Sequence, residues 1–348
     1  MQTDDPQYHV DATRRSLLAL IGFGGAAAAF PFAAGFAQAP AKGHRVDVHH
    51  HIVSPGYSAA LKARAQRHIE WTVERSLAEM DKGGIATAIT SLIQPSVWFG
   101  DVPLGRSLAR EANEFGAKLA ADHPGRFGTF AAIPYPDTEG SLREIEYVLD
   151  KLRVEGFCLM TSYDGKYLGD PAFWPVLEEL NRRSAVVYTH PTPPLCCSKI
   201  PSSVSIGTIE YATDTTRTIA SLIFSGAAAK FPNIKWIMSH SGGTAPFLVS
   251  RFEREEKVRK DSAAKLPKGA RHELQKLYYD TAQGNDAGAL AALMKLVPIS
   301  QVLYGTDYPF RDAAEVNAGL AAYGFSAGDL RAIDRDNALK LLPRLKPA

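Results

Sequence analysis

From residue 45 to residue 342 the chain alternates strand-like and helix-like segments, eight of each. The strand candidates are Arg45–His51, Ile85–Leu92, Arg126–Pro134, Gly156–Ser162, Ala185–Pro191, Ile234–Ser241, Leu277–Ala282 and Gln301–Tyr308. Most are short, apolar and bounded by Gly, Pro, Ser or Asp, as strands buried on both faces should be. Between them lie helical patterns. Leu142, Ile145, Val148 and Leu149 fall on one face of a helix over 141–152. A second helix over 214–226 reads as starting on the N-cap Asp214 and stopping at Gly226. Repeated β-then-α units of this kind predict an α/β fold, a (β/α)8 TIM barrel. The rival, an open doubly wound sheet, lacks its glycine fingerprint, because no G-x-G-x-x-G follows the first strand.

The chain is 45% hydrophobic over 348 residues, ample for one large core, so residues 40–348 read as a single catalytic barrel. A formal net charge of +2 without a basic run argues against a nucleic-acid partner. Residues 1–39 read differently. Arg14-Arg15 precedes a stretch uncharged from Ser16 to Ala41, weakly apolar and rich in Ala and Gly, that ends in Ala37-Gln38-Ala39. That pattern predicts a twin-arginine export signal with its cleavage site, hence a periplasmic protein that meets the membrane only in transit. A membrane anchor is the alternative, but Pro31 and the many small residues make a poor span. In an oxidising compartment disulfides persist, yet Cys158, Cys196 and Cys197 are too few for a disulfide framework.

In a TIM barrel the functional groups sit at the C-terminal ends of the strands. His49 and His51 end the first strand, and alternation points both to one side while His50 points away. His190 ends the fifth strand, His240 the sixth and Asp307 the eighth. Taken singly, each is more simply a hydrogen-bonded structural residue. Together they bring four imidazoles and a carboxylate to one end of one barrel, after apolar runs where polar groups are costly without partners. Imidazole and carboxylate are common ligands of zinc and related divalent ions, and this convergence predicts a metal site.

These positions resemble the amidohydrolase superfamily. F-P-N-I-K-W-I-M-S-H-S-G-G-T-A-P-F and L-Y-G-T-D-Y-P-F narrow the resemblance to its amidohydrolase-related branch of metal-dependent decarboxylases, the aminocarboxymuconate semialdehyde decarboxylase-like proteins. D-G-K-Y-L-G-D-P-A-F-W-P-V-L-E-E-L-N-R-R is similar to the 6-methylsalicylate decarboxylase-like members. The resemblance implies that His49, His51, His190 and Asp307 bind one divalent ion, zinc foremost and manganese as the alternative. It implies that His240 is the acid–base residue, with Asp307 a second carrier of the proton. Binuclear relatives bridge their ions with a carboxylated lysine on the fourth strand, and G-F-C-L-M-T-S has none. Cys158 on that strand reads as a buried apolar residue.

Four further positions carry open alternatives. Trp98 and Phe99 either wall a planar substrate or anchor their loop. Asp280 either supports a histidine or caps the next helix. Arg251 matches an arginine that relatives extend into the neighbouring subunit's site to hold a substrate carboxylate, which implies a homodimer; otherwise it is a solvated surface residue. The implied reaction is non-oxidative decarboxylation of a small aromatic acid, a hydroxybenzoate or 6-methylsalicylate. The same site would also serve hydrolysis of a lactone, ester or amide, and a non-catalytic binding protein is a third reading that the intact ligand set argues against.

Overall fold

A computed structural model describes residues 43–64, 66, 69–197 and 203–345. The export signal expected over 1–39 lies outside the described residues. Eight strands form one sheet in sequence order: β1 (Arg45–Ile52), β2 (Ile85–Leu92), β3 (Phe127–Ala132), β4 (Gly156–Met160), β5 (Val186–His190), β6 (Lys235–Met238), β7 (Tyr278–Asp280) and β8 (Val302–Leu303). Every neighbouring pair is parallel. The segment beyond β8 returns to β1: Val48 N–H donates to Tyr304 O (3.0 Å), Asp307 N–H to His49 O (2.8 Å) and His51 N–H to Tyr308 O (2.8 Å). These bonds close the sheet on itself, and the closure places Asp307 directly beside the end of β1.

Helices cover the outside of the strands, and the helix between β2 and β3, Val102–Asp122, shows how the sequence specifies them. Asp101 accepts the Leu104 N–H at 3.0 Å and Pro103 occupies the first turn, so start and direction are set locally. Leu108, Ala109, Ala112, Gly116 and Leu119 are buried at helical spacing, giving one apolar face toward the sheet. A Cβ at Gly116 would lie 2.8 Å from Thr129 Oγ1 on β3, so the helix lies against its strand only because residue 116 is glycine. Among the described residues no helix is long and apolar enough to cross a membrane.

Four expected elements differ. The helix expected over 141–152 runs Thr138–Tyr147 and then widens into a π turn at Val148–Leu152. The helix expected to start at Asp214 starts at Ile206 and ends before Gly226, whose φ is 87°. Asp214 is no cap: it is buried inside this helix, where its carboxylate accepts from Thr161 Oγ1, from Tyr167 OH (2.7 Å) and from Thr192 N–H (3.3 Å). Burial still raises its pKa above the usual carboxylate range, since these bonds offset only part of the desolvation. Finally, β6 stops at Met238 and β8 at Leu303, so His240 and Asp307 stand on turns beyond their strands. Both have left-handed backbones, φ 55° and 68°, which continuing strands do not permit.

Candidate metal centre

The three consecutive histidines of β1 divide between two environments. His50 points away from the site: its Nδ1 lies 3.1 Å from Asp47 Oδ2, its Nε2 2.7 Å from Ser76 Oγ, and its ring stacks on Tyr308 at 4.4 Å. His49 and His51 share the opposite side, their Nε2 atoms 3.2 Å apart. Each Nε2 is 3.1 Å from Asp307 Oδ1. His190 completes the group, and one ligand atom from each of His49, His51, His190 and Asp307 falls within 4.8 Å of all the others. None of the four is more than 3% exposed.

The outer nitrogens decide what the inner ones can do. His49 Nδ1 donates to Asp280 Oδ2 (2.8 Å), His190 Nδ1 donates to the Pro191 carbonyl (2.9 Å), and His51 Nδ1 is 3.2 Å from Ser91 Oγ. An acceptor on the outer nitrogen of His49 and of His190 leaves each neutral ring with its Nε2 lone pair facing inward, the tautomer a metal-binding imidazole requires, and Ser91 Oγ can accept from His51 in the same way. Ligand atoms about 2.0–2.1 Å from a tetrahedral ion stand roughly 3.3 Å from each other. The spacings of 3.1 and 3.2 Å among Asp307 Oδ1 and the Nε2 atoms of His49 and His51 fit that geometry. The group can therefore hold one divalent ion.

The same atoms form a charge cluster. Burial would push the His49 imidazole down, but the carboxylates of Asp307 and Asp280 outweigh it and hold His49 up at about 10. Burial also opposes ionisation of Asp307, yet His49, His240 and His51 hold its carboxyl well below the usual range. His190 is pushed well below the ordinary histidine range by burial, and the neighbouring imidazoles of His51 and His49 add to that. Burial lowers His51 as well.

His240 stands next to this group, its ring 5.0 Å from that of His49 and 6.0 Å from that of His190. It is 7% exposed, yet among the described residues neither ring nitrogen has a hydrogen-bond partner. Its Nε2 lies 3.5 Å from Asp307 Oδ2, an electrostatic neighbour outside good hydrogen-bond geometry. Its backbone N–H donates to Asp280 Oδ1 at 2.8 Å, so one carboxylate steers both His49 and His240. The helix that follows β7 is capped by Asp286.

An amidohydrolase family model matches residues 46–344. The chain belongs to the amidohydrolase family. It is 36% identical to a decarboxylase of Aspergillus niger, over 87% of this chain and 88% of that protein. It is 32% identical to the 6-methylsalicylic acid decarboxylase of Penicillium expansum, over 87% of this chain and 97% of that one. Among solved structures, an amidohydrolase II superposes with a TM-score of 0.79 at 27% identity, covering 86% of this chain and 99% of that one.

The remaining candidates of this amidohydrolase are not among the four grouped residues. Trp98 Nε1 donates to Asp164 Oδ1 (2.9 Å), tying the loop after β2 to the hairpin after β4. Phe99 lies under the Arg64 guanidinium (4.6 Å) and near Tyr57. Arg251 is exposed and, among the described residues, has no ion-pair partner. Cys158 is buried, its thiol pushed up to about 12 by burial. Cys196 and Cys197 lie with their sulfurs 2.9 Å apart, and the Arg217 guanidinium is 3.8 Å from the second. Sequence reasoning missed Asp47, Ser91 and Gln283. Asp47 had a signal, an acid inside an apolar strand; it receives Thr306 Oγ1 (2.6 Å) and the His49 N–H (3.0 Å), joining β1 to the Asp307 turn. Ser91 and Gln283 had none beyond their positions at strand ends.

Proposed function

We propose that this amidohydrolase is a metal-dependent, non-oxidative decarboxylase of a small ortho-hydroxylated aromatic acid such as 6-methylsalicylate. One observation carries this reading: a buried three-histidine, one-aspartate group beside an unpartnered His240, in a chain 32–36% identical to decarboxylases along almost their whole length. His49, His51, His190 and Asp307 would hold a single ion, with zinc favoured by the imidazole-rich set. When bound, the ion supplies Lewis-acid stabilisation of negative charge on the phenolic oxygen.

The reaction needs a proton delivered to the ring carbon that bears the carboxylate; loss of CO2 then restores aromaticity. His240 has two buried nitrogens with no hydrogen-bond partner among the described residues, so it can carry that proton to substrate. Asp307 Oδ2, 3.5 Å away on the side opposite the ligand oxygen, is the adjacent acceptor. The near-complete burial of these groups keeps bulk water from the transfer and strengthens every charge interaction in it.

A homodimer accompanies this reading. Phe247 is 82% exposed and Arg251 projects one turn later, an apolar anchor and an unpaired guanidinium that a second copy would cover. Export through the twin-arginine signal to the periplasm is proposed with it. The test is metal analysis of purified protein, then a screen of ortho-hydroxybenzoates for CO2 release beside lactone, ester and amide hydrolysis. About one ion per chain with CO2 release supports the reading; hydrolysis without CO2 release contradicts it. Manganese in place of zinc would correct the ion and leave the reaction standing.

A further inference from the structure

We infer that Gln283 is a positioning residue that fixes how Asp307 faces the metal centre, an inference that rests on the reading of Asp307 as a ligand. The two oxygens of Asp307 have separate surroundings. Oδ1 is 3.1 Å from the Nε2 atoms of both His49 and His51. Oδ2 accepts a hydrogen bond from Gln283 Nε2 and has His240 Nε2 3.5 Å away. A side-chain amide is a neutral donor at every working pH, so this bond is not switched by titration of its donor. It occupies the oxygen that would otherwise be free to swing onto the ion. Asp307 is thereby presented through Oδ1 alone.

The backbone around Gln283 is built to make this contact. Its φ is 49°, left-handed in a residue with a side chain, a conformation that persists only where the surroundings hold it. The holding is visible. Asp280 Oδ1 receives the Ala282 N–H (3.1 Å) and Gly284 N–H donates to Thr281 O (3.3 Å). Ser241 Oγ, next to His240, reaches Asp280 O (3.0 Å) and Gly284 O (3.3 Å). A Cβ at Gly284 would lie 2.3 Å from that oxygen, so the approach is closed to any larger residue. The turn after β7 thus fixes His49 and His240 through Asp280, and Asp307 through Gln283. Gln283 is itself solvent-exposed, so packing gives no reason for its strained backbone; the carboxylate it reaches is 3% exposed.

The test uses the full-length protein loaded with Co2+, whose visible absorption weakens as its coordination number rises. Gln283→Leu removes the donor at similar size, and Gln283→Glu replaces it with a group that repels Asp307. Both should keep the wild-type near-ultraviolet circular dichroism, since the side chain is exposed. Gln283→Leu should bind about one Co2+ per chain with weaker visible bands, and should lower kcat about 10-fold or more with KM changed much less. Gln283→Glu should bind Co2+ about 10-fold more weakly or worse. Wild-type bands and kcat in both variants would overturn the inference. So would a change in melting temperature alone, which is what a structural residue gives. Failure of the wild-type protein to bind Co2+ would instead overturn the metal reading beneath it.

Discussion

Asp280 Oδ2 accepts a hydrogen bond from His49 Nδ1 at 2.8 Å while its other oxygen receives the His240 backbone N–H at the same distance. A strand residue and a turn residue are oriented by one carboxylate with no exposure to solvent. Removing the acceptor frees the His49 ring and lets its tautomer change. Asp280→Asn should lower metal affinity about 10- to 100-fold, the usual scale for an outer partner of a metal-binding histidine. Competition with a chromophoric chelator reads this directly, and unchanged affinity would show that Asp280 serves only the turn.

His50 separates stability from metal binding. Its ring bridges Asp47 and Ser76 and stacks on Tyr308, all away from the ligand cluster. His50→Ala strands two buried polar partners and should cost about 2–4 kcal/mol of stability. Metal content, measured at a temperature where the variant is folded, should stay near one per chain. His51→Ala should lose the metal. Equal metal loss in both would contradict the division of β1 into two faces.

The position of His49 sets the pH dependence. Its pKa in the ion-free protein is about 10, above the ordinary 6.5, so its imidazole is protonated at pH 7.5. Metal needs the Nε2 lone pair, so loading at that pH should release about one proton, and affinity should rise up to tenfold per pH unit until about pH 10. Calorimetry in buffers of different ionisation enthalpy counts the proton. Because the folded value is raised, the stability this group contributes to ion-free protein is full below about pH 6.5 and is lost as pH rises through about 10. A pH-independent affinity would contradict the assignment of His49.

Much of this centre is legible in the sequence where a period governs the geometry. The run D-V-H-H-H obeys strand alternation, so the facing of His49 and His51 follows from counting. His190 ends β5 and is equally simple. His240 and Asp307 are different. Their strands stop two and four residues earlier, and left-handed turns aim them inward, so their convergence depends on turns that a periodic pattern does not encode. Asp214 misleads because a buried acid inside a helix looks, in sequence, like a cap. Its partners Thr161, Tyr167 and Thr192 come from other elements and become neighbours only when the barrel closes. Gln283 is illegible for the same reason: its role lies in where one turn places it.

Export is tested apart from chemistry. Replacing Arg14 and Arg15 with lysines should leave uncleaved protein in the cytoplasm, whereas the unaltered chain should yield a periplasmic form beginning near Pro40. Fractionation and N-terminal sequencing distinguish the two. Undiminished periplasmic protein from the double variant would remove the twin-arginine assignment.

Metal content and CO2 release measured on one preparation of His240→Asn separate the four side chains proposed to hold the ion from the fifth, His240, proposed to carry the proton. A four-ligand ion is complete without His240, so about one metal per chain should remain in a folded barrel. Turnover of an ortho-hydroxybenzoate that the wild-type protein decarboxylates should fall about 100-fold or more, the scale for losing a positioned acid–base group. Loss of the metal together with the histidine would make His240 a ligand and contradict the account. Survival of both metal and turnover would contradict it as well, leaving Asp307 to carry the proton.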